Sequence, residues 1–288
     1  MSVAQKVKTA IVGASGYSGE ELVRLLLGHP HAELTAVTSR QYAGQKLAAS
    51  FPRFAGNAVA NSLQFTEPNV KALAEAAEVV FLALPHGVAA EFAEPLLTAG
   101  AKVIDLSADF RLNDASVYEE FYGNPHPAPA LLEQSVYGMP ELHRNAIRDA
   151  NLIASPGCYP TSILLPTVPL LRAGLIKSTG IIADSLSGVS GAGRNVSADF
   201  MYTECNESAR PYGIPKHRHL SEIEQELSLA ADAQVTVQFS PHLIPINRGI
   251  LTTLYLAPTE KFETAVEEAA LAKNITDCLA TAYGNEPF

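Results

Sequence analysis

One of the chain's three cysteines sits where a thiol could become reactive. Ser155-Pro156-Gly157-Cys158-Tyr159-Pro160-Thr161 reads as a strand end, a tight turn and a helix start. A thiol there meets the positive end of the helix dipole, which lowers its pKa, and free N–H groups that could hold an oxyanion. The competing reading is a small buried apolar cysteine, the usual state of a free thiol. Cys205 and Cys278 lack such a turn and take that second reading. Lys216-His217-Arg218-His219, with Glu222 following, supplies two imidazoles and a carboxylate at a helix start. Those residue types move protons to and from a thiol. An HxH pair with a glutamate could also bind zinc, but no further ligand cluster is evident, and a solvated basic helix start is the plain alternative.

A second set of residues points to an anionic cofactor. Gly13-Ala14-Ser15-Gly16-Tyr17-Ser18-Gly19 lies between the first apolar run and the first helical pattern, where backbone N–H groups would face a pyrophosphate. The spacing is GxxGxxG rather than GxGxxG, so glycines serving only close strand–helix packing remain an alternative. Roughly 20 residues on, where NAD-specific folds put an acidic side chain on the ribose, the chain has Thr38-Ser39-Arg40. A hydroxyl followed by a guanidinium suits a 2′-phosphate and favours NADP(H) over NAD, unless Arg40 is a solvated loop cation. Leu84-Pro85-His86-Gly87 ends another apolar run at the edge where cofactors lie, with His86 read as a surface histidine at a helix start. Arg111, after Leu106-Ser107-Ala108-Asp109-Phe110, follows the next run and is a candidate anion ligand or a structural ion-pair partner.

The elements that must hold these groups follow from hydrophobic period. From 8 to 107, short β-type runs (TAIVGA, AELTAVTS, VVFLALP, KVIDLS) alternate with helical segments at 20–27 and 88–98. Near-continuous apolar strands separated by helices imply a doubly wound parallel sheet covered on both faces. Between 111 and 151 the period fades into a Pro- and Tyr-rich stretch, expected to be connector and surface loop. Beyond it come LIASPGCYP, helices at 161–171 and 220–229, IIADSLSG, the loop SGVSGAGRN, and strands VTVQF and GILTTLYLAP. The fold class is α/β, a Rossmann-type parallel sheet at 1–150 plus a second α+β catalytic domain with a mixed sheet at 151–288.

The 288 residues, with 47% hydrophobic and 17% charged, are globular in balance. A net charge of −10 and no basic run exclude the electrostatic footprint of a nucleic-acid binder. No apolar stretch approaches the ~20 residues of a membrane span, and the N-terminus lacks a signal-peptide pattern, so a cytoplasmic protein is expected. Three widely spaced cysteines argue against a disulfide framework.

GASGYSGEELVRLL, LPHG, DLSADFR, ASPGCYPT, SGVSGAGR and KHRHLSEIEQ occur in that order. In this the chain resembles, over nearly its whole length, the N-acetyl-gamma-glutamyl-phosphate reductases of arginine biosynthesis, relatives of the aspartate-semialdehyde dehydrogenases. PGCYPT and HRHLSEI are the specific segments. The resemblance implies that Cys158 attacks the acyl phosphate, Arg111 holds the phosphate, and His217 is the acid/base, supported by His219 and Glu222. It assigns the glycine loop (Gly13, Ser15, Gly16, Tyr17, Ser18, Gly19), Ser39, Arg40 and Pro85 to NADP(H), and sets Ser187 and Gly188 near the nicotinamide. It implies a small-molecule acyl-phosphate substrate and a homo-oligomer. The family usually continues past this C-terminus with a further strand and helix, so the chain reads as truncated. The rival readings are a reductase of another acyl phosphate, of the aspartate-semialdehyde type or on a carrier protein, and an NADP-binding module without turnover. A cofactor-free cysteine hydrolase would need no glycine loop.

Overall fold

The computed structural model describes residues 5–287, which form two compact units. The first comprises the chain up to Tyr118, Pro125–Gly138 and Asn145–Ser155; the second comprises Glu119–Asn124, Met139–Arg144 and the chain from Pro156 on.

The first unit is built on seven strands: β1 (Val7–Val12), β2 (Ala32–Thr38), β3 (Phe65–Thr66), β4 (Val79–Leu82), β5 (Lys102–Asp105), β6 (Ser135–Tyr137) and β7 (Leu152–Ala154). They lie in the order β3-β2-β1-β4-β5-β7-β6, and every neighbouring pair is parallel. Successive residues of β1 feed opposite faces, as strand geometry requires. Ala10 and Val12 join Val80, Leu82 and Val103 under α4 (Val70–Ala76) and α5 (Ala90–Thr98). Ile11 joins Leu34 and Val37 under α1 (Tyr17–Leu27), α2 (Leu47–Ser50) and α3 (Ala58–Ser62). Both faces are therefore covered, which is why these strands read as unbroken apolar runs. From β1 the chain winds outward to β3 and returns to β4 on the other side of β1, so the crevice at the carboxyl ends of β1 and β4 is where such sheets bind ligands.

The stretch from 111 to 151 is not plain loop. It contains α6 (Ala115–Tyr122), β6 at the sheet edge and α7 (Pro140–Asp149). Each is too short or irregular to show a period: β6 has three residues, and α7 is broken at His143 (φ −131°, ψ 23°) and buries no side chain.

The second unit carries β8 (Ile181–Ser187), β9 (Arg210–Pro211), β10 (Val237–Leu243) and β11 (Ile250–Tyr255) in the order β11-β8-β10-β9. The sheet is mixed: β8 and β10 run parallel, while β9 and β11 are antiparallel to their neighbours. The parallel pair has a helical crossover that the sequence reading did not anticipate, through α9 (Tyr202–Cys205) and α10 (His219–Ala231). Alternate residues of β8, Ile181, Ala183, Ser185 and Ser187, are buried. α8 (Cys158–Arg172) packs against α10 and against α11 (Ala265–Tyr283), which opens with a Thr264/Glu267 capping box.

Candidate active site

In the first unit the glycine turn joins β1 to α1. Gly13 has φ +84°, and a Cβ there would lie 2.3 Å from the Ala83 carbonyl oxygen, so this position needs glycine both for its backbone and for the approach of β4. A Cβ on Gly19 would meet Gly13 O at 2.5 Å, which makes Gly19 the close-packing glycine between helix and strand. Gly16 differs: it is the N-cap of α1, and its nearest neighbour would be 3.8 Å away. No side chain caps this helix start, so its first-turn N–H groups and the open space over Gly16 suit a pyrophosphate. Ser39, buried at the end of β2, donates to the Ser15 hydroxyl at 2.8 Å, and Ala14 N–H donates to Thr38 O. Thr38 Oγ1 is buried with no hydrogen-bond partner among the described residues. Arg40 is exposed. No carboxylate closes β2, and the donor set at the glycine turn fits a dinucleotide.

The loops after β4 and β5 are stapled to each other. Ala108 N–H donates to His86 Nδ1 at 3.0 Å, while Gly87 N–H donates to Asp109 Oδ1 at 2.7 Å. Pro85 therefore sits in a fixed loop, and His86 helps to fix it. Asp105 and Asp109 are both fully buried. Burial pushes the Asp105 carboxyl up to about 7, against the Ser107 hydroxyl and N–H that bind its anion. Arg111 is 6% exposed and directs Nε to Ser155 O and a terminal nitrogen to Leu106 O, both at 2.8 Å. It ties together the chain leaving β5 and β7, and holding a phosphate would use donors beyond those two.

In the second unit Cys158 is exposed and is the first residue of α8, three residues earlier than the helix start read from sequence. Pro160 explains the difference: the first turn tolerates proline because its N–H would have no partner there anyway. Gly157 is the N-cap, and its N–H donates to Glu222 Oε1 at 2.8 Å. A Cβ on Gly157 would meet His219 Nε2 at 2.8 Å and Glu222 Oε2 at 3.0 Å, so both side chains pack on the turn that presents the thiol. Cys158 borders a cavity of about 510 Å³ with Thr161, Ser162, Ser187, Gly188 and Gly249 among its lining. Gly188 admits no side chain, because a Cβ would lie 2.9 Å from Arg248 N and Asn247 O.

His217 precedes α10. Its Nδ1 accepts the His219 N–H at 3.0 Å, so the neutral ring carries its proton on Nε2. Burial, aided by the Arg218 charge, pulls its pKa down to about 4. Sequence reasoning missed Tyr212 and Phe239, whose rings flank this imidazole; a tyrosine before Gly213 and a strand phenylalanine carry no chemical signal of their own. Among the described residues no three His, Cys, Asp or Glu side chains converge as a metal site, and no helix is long and apolar enough to cross a membrane.

Residues 8–150 match the family model described as "Semialdehyde dehydrogenase, NAD binding domain", and 158–288 match "Semialdehyde dehydrogenase, dimerisation domain". The structure is similar to aspartate semialdehyde dehydrogenase II from Vibrio cholerae, with TM-score 0.70, 17% identity, and 97% of this chain and 80% of that one covered. It is also similar to the aspartate semialdehyde dehydrogenase with NADP from Candida albicans, with TM-score 0.64, 17% identity and coverage of 95% and 76%. At such identity these likenesses speak for the fold, and they bear out the expected α/β class. The N-acetyl-gamma-glutamyl-phosphate reductase of Akkermansia muciniphila shares 54% identity over 99% of this chain and 80% of that protein. The enzyme of the same name from Desulfotalea psychrophila shares 50% over 98% and 78%. The resemblance seen in PGCYPT and HRHLSEI thus extends along both units, and the chain belongs to the N-acetyl-gamma-glutamyl-phosphate reductase family.

Proposed function

We propose that the chain is an NADP(H)-dependent acyl-phosphate reductase. It converts N-acetyl-gamma-glutamyl phosphate to N-acetylglutamate 5-semialdehyde and phosphate, a step of arginine biosynthesis. The observation that carries this reading is the exposed Cys158 thiol on the first residue of α8, in a chain about half identical to reductases of that name.

The helix dipole at the start of α8 favours the Cys158 thiolate, and the turn at Gly157, packed under His219 and Glu222, fixes its direction. Attack on the acyl carbon forms a C–S bond, and the C–O bond to phosphate breaks with its electron pair leaving on the phosphate. Splitting the reaction through a thioester replaces one hard displacement by two easier ones. No side chain caps the start of α8, and the backbone N–H of Tyr159 in its first turn suits the oxyanion. Bound NADPH supplies the hydride that reduces the thioester carbonyl. His217, neutral around pH 7, then offers its Nε2–H as a hydrogen-bond donor to the charge that builds up as the C–S bond breaks, and collapse of the thiohemiacetal alkoxide releases aldehyde and returns Cys158 as the thiolate.

Gly13, Ser15, Gly16, Tyr17, Ser18, Gly19 and Pro85 are the residues we assign to the dinucleotide, Ser39 and Arg40 to its 2′-phosphate, Gly188 to the nicotinamide side, and Arg111 to the substrate phosphate. Reduced thiols and an NADPH requirement fit the cytoplasm, and three free cysteines agree with that location. A homo-oligomer completes the reading.

The test is NADP⁺ reduction with N-acetylglutamate 5-semialdehyde and phosphate, with aspartate semialdehyde as the comparison. Cys158→Ala is expected to abolish turnover while NADPH binding stays within about twofold, because the thiol supplies the covalent step and no cofactor contact. Retained turnover in that variant refutes the thioester route.

A further inference from the structure

The His217 imidazole lies in a cage of rings. Its centroid is 5.4 Å from Tyr159, 5.5 Å from Tyr212, 5.0 Å from His219 and 5.4 Å from Phe239, with interplanar angles of 66° to 87°. Such edge-on contacts set ring orientation as well as burying apolar area. Tyr159 on α8 and Phe239 on β10 are buried, so their walls are fixed by the core. The Tyr212 wall follows the two-residue strand β9 and is 38% exposed. Its ring is held through its hydroxyl, which shares a 2.6 Å hydrogen bond with the Tyr159 hydroxyl; Tyr159 is hydrogen-bonded in turn to Ser187 in the wall of the thiol's cavity. Next to it Gly213 has φ +62°, and a Cβ there would lie 2.9 Å from His217 Cδ2, so the imidazole rests directly on backbone.

We propose that Tyr212 is a positioning residue for the reduction: its ring closes the cage and its hydroxyl locks that ring, holding His217 in the tautomer that carries its proton on Nε2. Opening this wall lets water compete with the His219 N–H for Nδ1 and removes the desolvation that keeps the ring neutral. The titratable groups facing the imidazole are Tyr159 from α8, Tyr212 after β9, and Arg218 and His219 at the start of α10; β10 contributes Phe239, which does not titrate. Burial raises both phenols, so they stay uncharged near neutrality, and Arg218 opposes protonation of the ring.

This inference rests on the role given to His217 above, and the experiment separates the two. Tyr212→Ala and Tyr212→Phe are made in the full chain. For each, kcat and KM are measured, and the His217 imidazole is titrated by NMR of histidine-labelled protein, its resonance identified by its loss in His217→Gln. Tyr212→Ala is expected to lower kcat by about tenfold or more with KM within about threefold, and to move the His217 titration up by about one pH unit or more. Tyr212→Phe keeps the apolar wall, so it is expected to titrate like the wild type and to recover most of kcat, losing about threefold for the missing anchor. Unchanged kcat in Tyr212→Ala, or a His217 titration that stays in place while kcat falls, overturns the proposal. Should the alanine variant not fold, Tyr212→Phe decides alone: a lower kcat at unchanged KM supports the role and an unchanged kcat overturns it. If the wild-type chain shows no Cys158-dependent turnover, the functional reading has failed, and the titration still decides whether Tyr212 sets the state of His217.

Discussion

Gly16 and Gly157 occupy the same position, the N-cap of a helix whose first turn we assign to the proposed site, for opposite reasons. At Gly157 the space a side chain would fill belongs to His219 and Glu222, so the protein itself excludes any other residue. At Gly16 that space is open, which suits the dinucleotide proposed to lie there. The same distinction applies to cations. Arg111 is buried with its guanidinium on two carbonyls, whereas Arg40 is exposed at the end of β2, where no carboxylate competes for a ribose. In the function proposed above, Arg40 is the residue on which the choice of cofactor would turn. Arg40→Ala is expected to lower the kcat/KM preference for NADPH over NADH by about tenfold or more, the worth of one or two charge-assisted hydrogen bonds. Comparing initial rates with the two cofactors checks this, and an equal ratio in variant and wild type removes Arg40 from the 2′-phosphate site.

At the scale of elements, α8 has to be both a nucleophile's platform and a core helix, and its prolines complicate the second task. Pro166 and Pro169 lie inside it, and each leaves a carbonyl four residues back without its helical donor. For Pro169 that carbonyl is Leu165 O, and it accepts a hydrogen bond from the Tyr283 hydroxyl of α11. The last turn of α11 thus repairs α8 one helical stretch beyond the thiol. Tyr283→Phe, which keeps the ring and deletes the donor, is expected to destabilise the fold by about 1–2 kcal/mol, read as a lower urea midpoint; an unmoved midpoint means the carbonyl finds water instead. This contact also marks what the sequence could and could not reveal. Apolar runs broken by helical periods made the parallel sheet of the first unit readable, because both faces of its strands are covered. The thiol's turn was readable because Pro-Gly-Cys has few structural uses. Nothing local announced β6, the kinked α7, the parallel pairing of β8 with β10, or the ring of Tyr159, Tyr212 and Phe239 about His217. Those depend on contacts between residues far apart in the chain, such as Tyr283 with Leu165, and no periodicity within one segment reports them.

At the scale of the molecule, the second sheet leaves one face unfinished. Its buried side carries Ile181, Ala183, Val237 and Phe239, while the alternate residues form the other face. Register places Leu251 of β11 beside Leu186 of β8, Thr253 beside Asp184, and Tyr255 beside Ile182. Leu251 is 66% exposed and Tyr255 55%, on an edge strand, an arrangement a soluble protein ordinarily covers. The family model matching this unit is described as a dimerisation domain, and a two-fold pairing of such faces would bury apolar side chains symmetrically from both copies. The proposed homo-oligomer is therefore expected to form through this face. Sedimentation at micromolar concentration should give twice the chain mass, and Leu251→Asp, which replaces an exposed apolar side chain of this face by a carboxylate, should weaken association by about tenfold or more. A wild-type chain that sediments as a monomer, or a Leu251→Asp variant that still pairs at full strength, would show that this face is left to solvent and that any assembly uses another surface.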